Sequence, residues 1–473
     1  MLFNSFSFGT FFVVVTLLFF TLPHALRWLL LLLASCYFYM CFVPIYILIL
    51  AVAIIIDYAA AIYIEGTSDP RRKKCFLTLS IVSLCAILFV FKYFNFFNDN
   101  FAALAAALHW NYSIDALRLV LPIGLSFHTF QSLSYVIEVY RGRQKAERHF
   151  GIYSLYVMYF PQLVAGPIER PQNMLHQFHE RKYFDLSRLQ DGLTLALWGL
   201  FKKVVVADSL AIYVDTIYGN SSHHNGATLL LATYCFAFQI YCDFSGYSDI
   251  ARGVSRIYGI ELMKNFDSPY FSRSISEFWT RWHISLSTWF RDYVYIPLGG
   301  NRVSLSRQPF NLMVVFLLSG FWHGANWTFI VWGALHGTYL IVERVLRMAG
   351  EWLGFAPIER AGMLRTGLSI VLVFHLVLVA WVFFRANDVT TAFDIVRRML
   401  MPTGQIFFDS ILAQCAFGVG VVIVVDWLTG RTNYWDNLER YPVSLRFATC
   451  FAMLFSISLL GVEKGSQFIY FQF

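Results

Sequence analysis

Two histidines stand in the almost uncharged stretch FLLSGFWHGANWTFIVWGALHG, residues 316–337. An imidazole that leaves water costs a few kcal/mol unless it is paired, so each ring needs a structural partner or a chemical task. A neutral imidazole can act as a general base and take the proton of an attacking hydroxyl group. Gly320 and Gly324 bracket His323, and Asn326 follows it. This setting favours chemistry at His323.

Helical spacing separates the two histidines of this stretch. On a continuous helix, His323 shares one side with residues three or four positions away. These residues are Ser319, Asn326 and Trp327. His336 would be rotated by roughly 220 degrees from His323. We therefore expect His336 to point elsewhere and to tolerate substitution better than His323.

The length of the segment predicts a break in the helix. One helix from Asn311 to Glu343 would be about 50 Å long, which is too long for a single bilayer crossing. Gly320 and Gly324 mark the expected break, which would leave free backbone groups beside the imidazole of His323.

A third histidine, His283, lies in SRSISEFWTRWHISLSTWFRDYVYIPLGGNR, residues 272–302. Ser274 and Glu277 have the spacing of a capping box, and aromatic residues then recur at helical spacing. This pattern predicts an amphipathic helix at the membrane interface, in which Trp and Arg are ordinary surface anchors. Burial beside Trp282 would lower the pKa of the His283 imidazole and keep the ring neutral.

Two further segments place polar residues at the ends of apolar runs. They are VAGPIERPQNMLHQF, residues 164–178, and QIYCDFSGYSDIARG, residues 239–253. Asp243 and Asp249 are too far apart for a DxD metal pair. These polar residues are either caps and pairs at helix breaks or the lining of a polar cavity that reaches His323.

Composition indicates an all-α polytopic membrane protein. The chain of 473 residues is 58% hydrophobic and only 14% charged, against about 25% charged in soluble domains. We expect about ten to twelve helices that span or partly span the bilayer. Plain spans are expected at about 364–384, 408–427 and 444–462.

The positive charge fits membrane topology better than nucleic-acid binding. The net charge is +7, but the basic residues lie in short loops between apolar segments. RRKK at 71–74 and RGRQKAER at 141–148 should face the cytoplasm. This orientation requires one helix before Arg27 and two between Arg27 and RRKK. The first apolar block, Phe8–Leu22, is expected to be a retained helix.

One membrane domain is expected for residues 1–473, because no linker or internal repeat is visible. Residues 1–140 would be scaffold helices, residues 150–345 the catalytic core and residues 364–473 the C-terminal helices. None of the eight cysteines forms a CxxC pair, so neither a disulfide nor a zinc site is expected. There is also no phosphate loop, serine elbow or carboxylate pair for glycosyl transfer.

Four segments closely resemble the membrane-bound O-acyltransferase family, in particular its bacterial branch for O-acetylation of exopolysaccharides such as alginate and cellulose. They are EFWTRWHISLSTWFRDYVYIPLGGNR, LLSGFWHGANWTFIVWGALHG, LVAGPIERP and DFSGYSDIARG. The resemblance runs in order from about Leu121 to Arg385 and more loosely over the whole chain. Cys242 stands where an aromatic residue is expected, a departure that affects packing only.

The resemblance implies that His323, in the WHG motif, is the catalytic residue and that His283, in RWHxS, is the second one. Five residues are candidates for the lining of the substrate tunnel. These are Asn326, Trp322, Trp282, Asp243 and Ser319. The resemblance also implies tilted helices around a central funnel, with the histidines near the midplane and a cytoplasmic mouth for acetyl-CoA.

The implied function is transfer of an acetyl group from cytosolic acetyl-CoA across the bacterial inner membrane to an exopolysaccharide of the alginate or cellulose type. The implied partners are a periplasmic acetyltransferase or acetyl-carrier protein and membrane lipid. No bound cofactor, metal ion or nucleic acid is expected.

Three alternatives stay open. The acceptor could be peptidoglycan, a lipid or a protein, or the group transferred could be D-alanyl. A transporter would use the histidines as proton relays without acyl chemistry. In the enzyme, His323 could act as a base or carry the acyl group transiently.

Overall fold

The computed structural model describes residues 1, 3–163, 166–353, 362–432, 435, 441–462 and 468–469. These residues are mainly helical and contain no strand, so the predicted all-α fold is confirmed. The chain divides into two compact units, residues 1–193 with 251–263, and residues 194–250 with 264–473. The predicted division into scaffold, catalytic and C-terminal parts of one domain stays a prediction.

The helices follow the apolar segments of the sequence. In chain order they are α1 (Phe6–Thr21), α2 (His24–Met40), α3 (Ile47–Gly66), α4 (Pro70–Leu88), α5 (Phe94–Ala107), α6 (Leu125–Tyr140), α7 (Phe150–Met158), α8 (Phe160–Leu163), α9 (Pro171–His179), α10 (Leu186–Phe201), α11 (Asp208–Gly219), α12 (Gly226–Ile257), α13 (Ile275–Arg281), α14 (Ile284–Phe290), α15 (Arg307–His323), α16 (Trp327–Trp352), α17 (Met363–Arg385), α18 (Val389–Met399), α19 (Ile411–Thr432) and α20 (Val443–Leu460).

Seven helical stretches in the described part of the chain are long and apolar enough to cross a membrane. Three of them, α17, α19 and α20, match the predicted plain spans, and the polytopic prediction is confirmed. α1 and α2 are shorter apolar helices. The predicted figure of about ten to twelve also counted helices that cross the bilayer only in part.

In the first unit, the RRKK segment forms the first turn of α4. Asp69 caps this helix, because its Oδ1 accepts the N–H of Arg71 at 2.9 Å, and Pro70 occupies the first helical position. α1 precedes Arg27, and α2 and α3 precede RRKK. The helix order that the predicted sidedness requires is therefore present.

Candidate active site

The break predicted near His323 is present and turns the chain into a helical hairpin. α15 ends at His323, and Gly324 is extended. Asn326 caps α16, because its Oδ1 accepts the N–H of Thr328 at 3.0 Å. Its amide nitrogen donates to the carbonyl oxygen of Asn387 at 3.1 Å. Asn326 therefore fixes the start of α16.

α15 and α16 pack backbone to backbone where two glycines meet. A Cβ atom at Gly320 would overlap the carbonyl oxygen of Phe329 and lie 3.3 Å from Cα of Gly333. A Cβ atom at Gly333 would overlap the carbonyl oxygen of Phe316. Any side chain at either position would push the helices apart. This crossing lies one turn before His323 and fixes its position.

The prediction that His336 points away from His323 is wrong, because it assumed one continuous helix. After the break, α16 runs back along α15, and His336 is completely buried. Its ring centroid lies 4.9 Å from that of Trp332, which lies 5.0 Å from that of His323. The predicted common face of His323 with Asn326 and Trp327 is wrong for the same reason, because both residues lie beyond the break. Trp327 is 53% exposed, whereas His323 is buried.

His323 lies against an aromatic wall. Its ring centroid is 4.9 Å from that of Trp322, 5.0 Å from that of Trp332 and 5.3 Å from that of Phe384. His323 is only 4% exposed, and Ser319, one turn earlier on α15, is equally buried. The wall excludes water from the imidazole, and a site without water protects reactive groups from hydrolysis.

His283 lies in a tight turn where the sequence predicted a continuous amphipathic helix. Ser274 does cap α13, because its hydroxyl accepts the N–H of Glu277 at 3.0 Å, while the Glu277 carboxylate accepts the backbone N–H of Arg273 at 2.8 Å. However, α13 ends at Arg281 and α14 begins at Ile284, and His283 between them has a left-handed φ of 43°. The continuous helix is therefore wrong at this point. For a residue other than glycine, such backbone costs of the order of 1–3 kcal/mol.

Asn265 holds this turn from the preceding segment. Its backbone carbonyl accepts the N–H of Ile284 at 2.9 Å. Its Oδ1 accepts the N–H of Ser285 at 3.1 Å and the hydroxyl of Ser285 at 2.9 Å. The same Oδ1 lies 3.1 Å from Nδ1 of His283. Because an amide oxygen only accepts hydrogen bonds, Nδ1 carries the proton and Nε2 is the nitrogen that can accept one.

His283 lies outside the seven candidate membrane-spanning stretches and is completely buried. Burial lowers the pKa of its imidazole to about 3, so the ring is neutral at pH 7. The predicted direction of this pKa shift is confirmed. A neutral ring of this tautomer can accept a proton from a hydroxyl group.

Trp322 joins the two predicted histidines. Its ring centroid lies 4.9 Å from that of His323 and 6.4 Å from that of His283. Trp282 packs 5.0 Å from Trp381 of α17. The structure therefore brings four of the predicted site residues into one aromatic cluster in the second unit.

Asp243 belongs to a buried ion-pair network. Its carboxylate lies 2.8 Å from Nζ of Lys203, which also pairs with Asp208 at 2.8 Å, and it accepts the N–H of Ile469 at 2.7 Å. Burial works against a charged lysine, but the two carboxylates outweigh burial and raise the pKa of Lys203. Asp243 lies inside α12 and not at a helix break. Its role in lining a tunnel stays a prediction.

The segment around Glu169, in the first unit, is structural in its contacts. Glu169 is completely buried and accepts the N–H of Met263 at 2.6 Å. Burial raises the pKa of its carboxyl group to about 7, against the opposing effect of that hydrogen bond. Residues 164 and 165 of this predicted segment lie outside the described residues.

Three members of the cluster were not predicted, namely Asn265, Trp332 and Trp381. Trp332 lies within the quoted stretch, and a hairpin in place of a continuous helix would have placed it against His323. Asn265 carries no local signal, because its partners lie 18 and 20 residues later in the chain.

Comparison with known proteins gives a consistent group of relatives. The model of the membrane-bound O-acyltransferase family matches residues 148–384, a range that includes both predicted histidines. A protein of Azotobacter vinelandii named probable alginate O-acetylase AlgI is 40% identical over 449 residues, which cover 94% of this chain and 82% of the relative.

Two relatives have other named activities. The peptidoglycan O-acetyltransferase of Helicobacter pylori is 36% identical over 400 residues, which cover 79% of this chain and 74% of the relative. The teichoic acid D-alanyltransferase of Bacillus subtilis is 29% identical over 273 residues, which cover 55% of this chain and 67% of the relative.

Proposed function

Because the chain belongs to the membrane-bound O-acyltransferase family and is a multi-pass membrane O-acyltransferase, we propose that it transfers acetyl groups for the O-acetylation of an exopolysaccharide of the alginate or cellulose type. The observation that carries this proposal is the position of His323, at a helix break inside an aromatic wall. Family membership favours this enzyme over the alternative of a transporter.

In the proposed reaction, His323 is the general base. The acceptor hydroxyl oxygen attacks the carbonyl carbon of the acetyl thioester, while His323 takes the hydroxyl proton and the carbonyl electron pair moves to the carbonyl oxygen. When the electron pair on that oxygen forms the C=O bond again, the C–S bond breaks, and the sulfur takes the proton from His323. Proton transfer by a positioned base typically contributes about 10²- to 10⁴-fold to the rate. His283 is the second histidine and supports orientation or proton transfer.

The acyl donor in this proposal is cytosolic acetyl-CoA. It is a substrate and not a resident cofactor. The charged nucleotide part must approach from the cytoplasm, while the acetyl group leaves on the periplasmic side to a periplasmic acetyltransferase or acetyl-carrier protein. In this proposal the chain lies in the bacterial inner membrane.

The geometry of the first unit supports this sidedness. Arg148, at the end of the second basic segment, pairs with Glu65, and the N–H of Ala146 donates to Glu65 at 3.1 Å. Glu65 is the penultimate residue of α3, directly before the connection that leads to RRKK. Both basic segments therefore lie at the same end of α3, as a shared cytoplasmic side requires.

The acceptor can be tested in cells that lack the gene. Expression of the wild-type chain should restore acetyl groups on the secreted polysaccharide, measured by NMR before and after mild alkaline deacetylation. The His323→Ala variant, at equal membrane abundance, should not restore them. Acetylation of peptidoglycan with an unchanged polysaccharide would replace the proposed acceptor by the one named for the Helicobacter relative.

A further inference from the structure

Trp332 packs against the proposed base, and His336 packs against Trp332; both carry polar groups without hydrogen-bond partners among the described residues. Trp332 and His336 are both completely buried. Neither the indole N–H of Trp332 nor either ring nitrogen of His336 has a partner among the residues that the structure describes. Their rings pack together with centroids 4.9 Å apart.

Packing alone does not explain these residue types. A buried donor without a partner lowers stability, and an apolar ring of similar shape would avoid this cost. Phe278 and Phe316 already pack against His336, each with its centroid 6.2 Å away, so phenylalanine is compatible with this environment. The nitrogens therefore point to a partner that arrives with the substrate.

The position of Trp332 indicates what that partner is. Its ring lies 5.0 Å from the ring of His323 and nearly perpendicular to it, at 83°. In acyl transfer, negative charge develops on the carbonyl oxygen of the acyl group within a few ångströms of the base. An indole N–H only donates, so it suits an oxygen that accepts hydrogen bonds.

We propose that Trp332 and His336 are further catalytic residues, whose N–H groups donate hydrogen bonds to the acyl carbonyl oxygen as it becomes negatively charged. This inference rests on the proposed role of His323 as the base. The two donors keep their protons throughout. The oxygen receives the carbonyl electron pair when the acceptor attacks and returns it when the C–S bond breaks.

The test compares single substitutions in purified full-length protein. Trp332→Phe keeps an aromatic ring and removes the N–H, and it should lower kcat by about 10²- to 10³-fold, as the loss of one such donor does in other acyl transfer enzymes. KM for acetyl-CoA should change little. His336→Phe should also lower kcat, whereas His336→Gln keeps an N–H donor and should recover much of the loss.

Trp198→Phe is the matched control. Trp198 is a buried tryptophan of α10 and is 3% exposed. Its ring packs 5.4 Å from that of Phe201, and it contacts neither Trp332 nor the two histidines among the described ring pairs. Trp198→Phe should keep the wild-type kcat.

The kcat values of these variants distinguish a failure of the inference about Trp332 and His336 from a failure of the proposed function. Equal losses of kcat in Trp332→Phe and Trp198→Phe, or wild-type kcat in Trp332→Phe, would overturn the inference. An inactive His323→Ala variant would still support the proposed function in that case. An active His323→Ala variant would contradict the proposed function itself. If Trp332→Phe fails to fold, benzothienylalanine at this position keeps the bicyclic shape without the N–H, and the same loss of kcat is expected.

Discussion

Substitution of Gly320 by alanine tests whether the helix crossing controls the position of His323. A Cβ atom at Gly320 would overlap the carbonyl oxygen of Phe329, well inside the 3.0 Å that real Cβ atoms keep. Because backbone atoms on both helices are close-packed, α15 and α16 would have to separate by about 1 Å. A displacement of this size in a catalytic group can cost about 10²-fold in rate. We expect Gly320→Ala to lower kcat by about 10²-fold and to destabilise the fold by about 1–3 kcal/mol.

The assay measures acetyl-CoA turnover together with the thermal unfolding midpoint in the same detergent. Gly367→Ala is the matched control, because Gly367 lies in α17 and a Cβ atom there would meet nothing within 4 Å. Alanine at this open helical position should leave activity unchanged and should not lower stability. Wild-type kcat in Gly320→Ala would show that the crossing does not position the base.

The turn at His283 and the basic segments can each be tested by substitution. Asn265→Ala removes the acceptor of the His283 Nδ1–H and should lower kcat about tenfold, the equivalent of one hydrogen bond of about 1.4 kcal/mol. An unchanged kcat would show that Asn265 contributes only to packing. The pKa of His283 falls from 6.5 to about 3 on folding, so the unfolded chain binds a proton first as the pH drops below 6.5. As the pH falls below 6.5, the wild type should therefore lose about 1.4 kcal/mol of its free energy of unfolding per pH unit, and His283→Gln should lack this loss. Identical pH slopes in thermal unfolding of the wild type and the variant would contradict a neutral buried ring. Lys73→Cys, in a background in which the exposed Cys41, Cys75 and Cys85 are replaced by Ser, should resist a membrane-impermeant thiol reagent in intact spheroplasts and react after the membrane is opened. Labelling of intact spheroplasts would invert the proposed topology.

The sequence was sufficient for the features that depend on local composition. Apolar runs of about 20 residues predicted α17, α19 and α20, because span length follows directly from bilayer thickness. The excessive length of the segment from 311 to 343 predicted the break after His323 for the same reason. The cap at Ser274 depends only on residues three positions apart and was also predicted.

The errors arose where residues distant in the chain determine the structure. The helical positions of His323 and His336 were compared as if they lay on one helix. Because α16 folds back along α15 after the break, the angle between the two residues on a single helix does not apply. The turn at His283 depends on Asn265, whose hydrogen bonds hold a left-handed residue that local spacing assigned to a helix. Asp243 appeared to be a helix-end residue, because its partner Lys203 lies 40 positions earlier in the chain.

The release of free CoA by purified protein measures whether His323 is the base for acyl transfer. The assay would use the full chain in lipid nanodiscs with acetyl-CoA and a hydroxyl acceptor. The control is His375→Ala, which removes an exposed histidine of α17 that hydrogen-bonds to Tyr234 at 2.6 Å. We expect the wild type and His375→Ala to release CoA at similar rates and His323→Ala to be slower by about 10² or more. Release at the wild-type rate by a folded His323→Ala variant would show that His323 is not the base.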